Sequence, residues 1–165
     1  MIPGVLAGMP MPFVHPLRRL NQGGSMAAYE DDLIKLRKAG VQAIVALLNL
    51  PSDRRVYAAA GFQFLCLPIA DGQAPTPEQL HEFVRFVDGR RSEGVVTAVH
   101  CEAGIGRTGT MLAAYLIAQG HGFSSALELV RLAEPTAVET AVQIEFLRRL
   151  ANALGRNSTG NPPTT

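Results

Sequence analysis

The chain has 165 residues, 47% of them hydrophobic and 18% charged, which is enough for one buried core and short for two domains. A net charge of +1 with charges spread along the chain excludes a nucleic-acid footprint and a polybasic membrane face. Two cysteines, Cys66 and Cys101, and histidines at 15, 81, 100 and 121 form neither a disulfide framework nor a metal-ligand spacing, so no metal and no cofactor is expected.

Residues 1–10 are apolar but lack a basic start and are interrupted by Pro and Gly, so they do not read as a signal peptide. No apolar run reaches the ~20 residues of a membrane span, and a cytoplasmic, reducing location is expected. Residues 5–7 predict a short strand, and 9–24, rich in Pro, Arg and Gly, a long loop. Ser25 is the expected N-cap of a helix carrying Met26, Tyr29, Leu33, Leu36 and Ala39 on one face and ending at Gly40. The apolar run 41–48 predicts a buried parallel strand, and 51–60 a short polar helix. Residues 62–67 read as the next strand, stopped by Pro68. The Pro- and Gly-broken segment 69–77, which contains Asp71, cannot be regular structure. Thr76 as N-cap and Pro77 at the first helical position open a helix to about Arg91, with Leu80, Phe83, Val84 and Val87 inward.

Strand 95–100 then leads into Val99-His100-Cys101-Glu102-Ala103-Gly104-Ile105-Gly106-Arg107-Thr108-Gly109. A loop that wraps into a half-circle over this stretch aims the Cys101 sulfur and the Arg107 guanidinium at one point. Its glycines let backbone N–H groups turn inward. The next helix, 107–119, starts at the arginine, so the positive end of its dipole also faces the hollow. Such a hollow fits a phosphate dianion and favours a thiolate. Helix 107–119 is apolar nearly all round and predicts a buried central element. Ser124 is the expected cap of a helix over 125–133, and 138–154 predicts a last helix with Val142, Phe146, Leu147 and Leu150 inward. Residues 155–165 predict a disordered polar tail, which leaves one domain over 1–154. Alternating strands and helices give an α/β expectation: three layers, with a central, mainly parallel sheet flanked by helices. Ligands in such sheets bind at the carboxyl ends of the strands, where the cysteine loop, the Asp71 segment and 51–55 share a rim.

The pattern His-Cys-x-x-Gly-x-x-Arg-Thr-Gly over 100–109 resembles the signature of the cysteine-dependent protein tyrosine and dual-specificity phosphatases. A bare Cys-x5-Arg pair would be weak; six matched positions are specific. With 2–9, 67–71 and 139–140, the chain looks like the small atypical dual-specificity phosphatases related to dual-specificity phosphatase 23, over about 2–150. The resemblance implies a metal-independent phosphatase of the phosphotyrosine phosphatase fold, acting on phosphorylated protein substrates as a monomer, with no nucleic-acid or membrane partner.

It further implies Cys101 as nucleophile forming a cysteinyl-phosphate, and Arg107 as a fork on two phosphate oxygens. Amides of Glu102, Ala103, Gly104, Ile105, Gly106 and Arg107 are the remaining donors. Asp71, in the segment where the family carries its acid loop, is the expected general acid and base. Asp71-Gly72 alone would read as a turn dipeptide, and Asp53 and Asp88 are the other carboxylate candidates. Thr108 is placed to hydrogen-bond the sulfur, and His100 to shape the loop through backbone bonds. Gln143 is similar to a water-positioning glutamine of the family, against the plainer reading of an exposed helical Gln. Some relatives protect the nucleophile in a disulfide, for which Cys66 is the candidate, against a buried strand cysteine. Phosphoinositide and nucleotide phosphatases, and a phosphate-binding pseudoenzyme, are the alternatives. Glu102, Ala103 and Ile105 stand where inositide enzymes tend to carry lysines, and Glu102 repels a polyanion. The loop 9–24 is longer than the compact pattern needs, and no aromatic phosphotyrosine-recognition loop is evident, which implies a shallow pocket.

Overall fold

Four short apolar strands, β1 (Leu6–Met9), β2 (Val41–Ala46), β3 (Gln63–Cys66) and β4 (Val96–His100), pair side by side in the order β1-β4-β2-β3, and every pairing between them is parallel. The structure, a computed structural model, describes residues 2–12, 26–49 and 53–156. Parallel strands need crossovers, and α1 (Met26–Lys38), α2 (Asp53–Ala59) and α3 (Pro77–Ser92) supply them, while α4 (Gly106–Ala118), α5 (Phe123–Ala133) and α6 (Ala141–Ala153) follow β4. The expected cap Ser25, the helix start at 51–52, most of the loop 9–24 and the tail from 157 lie outside the described residues.

The two inner strands, β2 and β4, are buried on both faces apart from Gln42 and the half-buried Val96, so each carries two sets of core residues at a period of two, whereas β1 and β3 at the sheet edges are mostly half-buried. Ile44 and Ala98 face one cluster with Leu33 of α1 and Tyr57 of α2. Val45, Val99 and Leu6 face the larger cluster with Phe83, Val87, Met111, Tyr115 and Leu147. The result is the three-layer α/β arrangement, helix on sheet on helix. Helix α4 lies against β1, β4, α3, α5 and α6, which is why it is apolar all round. Its close seat on the sheet depends on Gly8, where a Cβ would stand 2.7 Å from Leu112 Cδ1.

Three expectations are corrected. Helix α5 starts at Phe123 behind Gly122 rather than behind Ser124. Helix α6 starts at Ala141, not Val138, because Val138 takes a left-handed φ of 66° and Thr140 with Gln143 forms a capping box. On α6 the buried positions are Gln143, Leu147 and Ala151, while Val142 is 49% exposed. Gln143 can take the inward place because its amide finds backbone partners, described below.

Cys66 is exposed at the end of β3, its thiol donating to Leu48 O at 3.4 Å, so it is not the buried strand cysteine. Nor is it placed to bridge Cys101. Ala46 is the register partner of both Cys66 and His100, so a whole strand separates the two sites. Two strand spacings make about 10 Å, beyond the ~7 Å Cα separation that a disulfide spans without backbone movement.

Phe83 is fully buried and meets the Tyr115 ring edge-on at 6.2 Å between centroids. Phe83→Ala should therefore lower the stability by about 3–5 kcal/mol, read as a fall in the urea midpoint with little change of slope. A loss under 1 kcal/mol would contradict this packing.

Candidate active site

The peptide after β4 leaves the sheet at its carboxyl edge and returns as α4, and the loop between them is closed by short-range forces. Gly104 N–H donates to Cys101 Sγ at 3.3 Å. Gly104 has φ of 81°, and a Cβ there would stand 2.6 Å from Pro10 N and 2.7 Å from Met9 C, so only glycine lets the loop lie against the end of β1. Met11 N–H donates to Glu102 O at 3.0 Å, a second tie to the same segment. Ile105 is the N-cap of α4 and has no side-chain cap bond, so the helix opens toward Cys101 with first-turn amides and the positive end of its dipole. Cys101 is buried, whereas Glu102 and Ala103 are exposed at the rim.

Arg107, in the first turn of α4, is 7% exposed. A cation so far from water needs oxygen partners. It has two from one segment: Nη1 donates to Ile69 O at 3.2 Å, and Nη2 pairs with Asp71 Oδ1 at 2.9 Å. Asp71 itself is on the surface. β3 is two strands from β4, and the chain crosses that gap by continuing the ladder past the strand ends. Leu47 N–H donates to His100 O at 2.8 Å, and Ile69 N–H to Leu47 O at 3.1 Å. The segment after β3 is thereby carried over β2 to the mouth of the cysteine loop, where Gly72, at φ of 71°, turns it.

Below the loop, His100 is fully buried, and its imidazole is pushed down to about 4 from 6.5 by desolvation, against a smaller opposing pull from its bond to Cys101. It is neutral at pH 7 and has one N–H. Nδ1 lies 3.0 Å from Cys101 O, and a carbonyl only accepts. Nδ1 is thus the donor, and Nε2 accepts from the Tyr57 hydroxyl at 2.9 Å. Tyr57, fully buried on α2, reaches the cysteine loop across the sheet. Thr108 Oγ1 is buried with no hydrogen-bond partner, so the bond to the sulfur is not made in this structure.

Gln143 is fully buried rather than exposed. Its Oε1 accepts from Glu139 N at 2.9 Å and Thr140 N at 3.2 Å, and its Nε2 donates to Gln73 O at 3.3 Å. It stands beside the cysteine loop, since a Cβ on Gly106 would be 3.3 Å from Nε2. Cys101, Arg107, Asp71, His100 and Gln143 therefore share one neighbourhood. Asp88 is elsewhere, accepting from Tyr115 at 2.6 Å between α3 and α4. The side chain of Asp53 lies outside the described residues. The sequence points to no role for Tyr57, and to Thr140 only through the 139–140 match. The Thr-x-x-Gln box was the available signal for Thr140; for Tyr57 there was none. Among the described residues no group of three or more His, Cys, Asp or Glu is placed to hold a metal ion, and no helix is long and apolar enough to cross a membrane.

A parallel sheet whose central strand feeds a Cys-to-Arg loop into a buried helix is the architecture of the protein tyrosine and dual-specificity phosphatases. Residues 20–121 match the family described as Tc-R-P, polymorphic toxin system, DSP-PTPase phosphatase, and the chain belongs to that family. It is 32% identical over 103 residues to the human dual specificity protein phosphatase CDC14A, covering 62% of this chain and 17% of that protein. To the zebrafish (Danio rerio) CDC14AB it is 32% identical over 138 residues, 82% of this chain and 22% of the relative. The chain thus spans less than a quarter of the length of these curated relatives. Among solved structures, a mutant form of Tk-PTP superimposes with a TM-score of 0.76 and 31% identity, over 94% of this chain and 95% of that one.

A buried imidazole held near 4 couples stability to pH. Between about 4 and 6.5 the unfolded chain binds the His100 proton and the folded one does not, so this contribution is fully present above 6.5 and is lost as pH falls toward 4. The shift corresponds to about 3 kcal/mol. Urea midpoints from pH 7.5 to 4.5 should fall more steeply in the wild type than in His100→Gln; parallel profiles would contradict a neutral, desolvated His100.

Proposed function

We propose that this chain is a metal-independent phosphatase that hydrolyses phosphomonoesters on proteins, phosphotyrosine and also phosphoserine or phosphothreonine, through a cysteinyl-phosphate. The observation that carries this reading is the contact of Arg107 with Asp71 at 2.9 Å beside Cys101. It supports the reading of Cys101 as nucleophile, Arg107 as anion clamp and Asp71 as proton carrier around one phosphate.

The Cys101 sulfur, as thiolate, attacks phosphorus in line. The P–O bond to the substrate breaks, and the leaving oxygen takes the proton of the Asp71 carboxyl. Arg107 and the amides of 102–107 bear the equatorial oxygens, supplying the charge compensation. In the second step water attacks phosphorus and gives its proton to the Asp71 carboxylate, and the S–P bond breaks to return the thiolate and inorganic phosphate. The second N–H of the Gln143 amide orients that water. His100 keeps the loop in shape through Cys101 O, and Thr108 assists departure of the sulfur after a rotation of its hydroxyl. The exposed Glu102 at the rim favours a single phosphomonoester over a polyphosphorylated small molecule. The protein is proposed to work as a monomer on phosphoprotein substrates in a reducing, cytoplasmic setting, where thiols persist.

Phosphate must also replace Asp71 at Arg107, and two opposite effects of one substitution follow. Asp71→Asn should lower kcat on phenyl phosphate by roughly 10²-fold or more, the scale of a general acid. It should also tighten binding of tungstate, a phosphate mimic, measured by calorimetry, because no carboxylate competes for Arg107. Cys101→Ser should lose turnover of p-nitrophenyl phosphate and keep tungstate binding. Turnover by Cys101→Ser would overturn the nucleophile, and an unchanged rate in Asp71→Asn the acid.

A further inference from the structure

The Asp71 side chain is 91% exposed. Its one side-chain tie is the pair with Arg107 Nη2 at 2.9 Å, which phosphate must take over, so in the loaded site the backbone of its turn is what aims the carboxyl. Within that turn Gln73 N–H donates to Ala70 O at 3.0 Å, and the carbonyls of Gly72 and Gln73 are taken by the start of α6. Thr140 Oγ1 donates its proton to Gly72 O at 2.8 Å, and Gln143 Nε2 donates to Gln73 O at 3.3 Å. The hydroxyl of Thr140 is used twice, since its oxygen also accepts from Gln143 N at 3.3 Å as the helix cap. The cap needs only an acceptor; the proton toward Gly72 is an addition that α6 does not require.

The other end of this tie is stiff. Val138, two residues before Thr140, is a buried β-branched residue at φ of 66°, a conformation that persists only where the surroundings impose it. Arg131 imposes it here, donating from Nε to Ala137 O at 3.0 Å and from Nη2 to Val138 O at 3.3 Å. Ala137 also packs on Gly109 of α4, where a Cβ would be 2.8 Å from Ala137 Cβ. The segment that holds the Asp71 turn is thus registered against the helix that carries Arg107.

We propose that Thr140 is a positioning residue for proton transfer: by donating to Gly72 O it fixes the turn that aims the Asp71 carboxyl at the leaving-group oxygen, with Gln143 as the second tie. This rests on the reading of Asp71 as the general acid. A misaimed acid penalises poor leaving groups and spares good ones, whereas a loosened fold penalises all substrates alike. The test is kcat and KM on phenyl phosphate and p-nitrophenyl phosphate. Thr140→Val should lower kcat on phenyl phosphate about tenfold and on p-nitrophenyl phosphate less than about threefold, with KM unchanged, a fraction of a full general-acid effect. Thr140→Ser, which keeps the proton, should restore the rate. Thr140→Asp keeps the cap acceptor without the proton, so it retains α6 and should repeat the Val result. In an Asp71→Asn background Thr140→Val should have no further effect. Equal losses on both substrates, or a loss that adds to that of Asp71→Asn, would overturn the proposal. If Asp71→Asn itself fell equally on both substrates, the acid reading would fail, an outcome seen without any change at Thr140.

Discussion

Arg107 is a permanent cation held nearly out of water, and the fold around it has to supply oxygen. Leaving such a group unpaired would cost several kcal/mol, so the two acceptors it has are a condition of the site. Both come from one short segment, Ile69 O and the Asp71 carboxylate. The requirement explains why the chain after β3 continues across β2 rather than turning away: the ladder through Leu47 brings those oxygens to the cation. The carboxylate occupies one terminal nitrogen of the guanidinium. Under the proposed function, a phosphate oxygen would take over that position on Arg107, with the Asp71 carboxyl beside it.

The opposite side of the loop is governed by steric closeness. Gly104 against the backbone of Met9 and Pro10, Gly8 against Leu112, and Gly109 against Ala137 are places where backbone or core occupies the space of a Cβ. Together they press the cysteine loop between the end of β1 and the segment before α6. Beneath it, neutral His100 passes one hydrogen bond from Tyr57 to the carbonyl of Cys101, so the loop is held from both faces of the sheet.

Much of this was legible in the chain. The apolar runs 41–48 and 95–100 read as strands, the first as a buried parallel one, and Thr76-Pro77 reads as the opening of a helix. The hollow at Cys101–Arg107 followed from the spacing of a thiol, glycines and an arginine. Where the reading failed, the deciding forces were distant in sequence. Val138 reads as a helix former and is instead bent into the left-handed region by Arg131. Val142 reads as core and is displaced outward because Gln143 finds Gln73 O across 70 residues. Cys66 reads as buried, but β3 is an edge strand of the sheet, and edge position is a property of strand order that periodicity does not encode.

By itself, then, the sequence determined the alternation of strands and helices, the parallel sheet and the chemistry of the loop, because period-two and 3.6-residue patterns, caps and glycine spacing are local. Only the tertiary structure decided what faces that loop: Tyr57 on His100, the Asp71 carboxylate on Arg107, and Thr140 and Gln143 on the turn behind Asp71. These contacts join residues 36 to 70 apart in the chain. They exist because a buried cation, a buried imidazole and two turn carbonyls each had to find a partner in space.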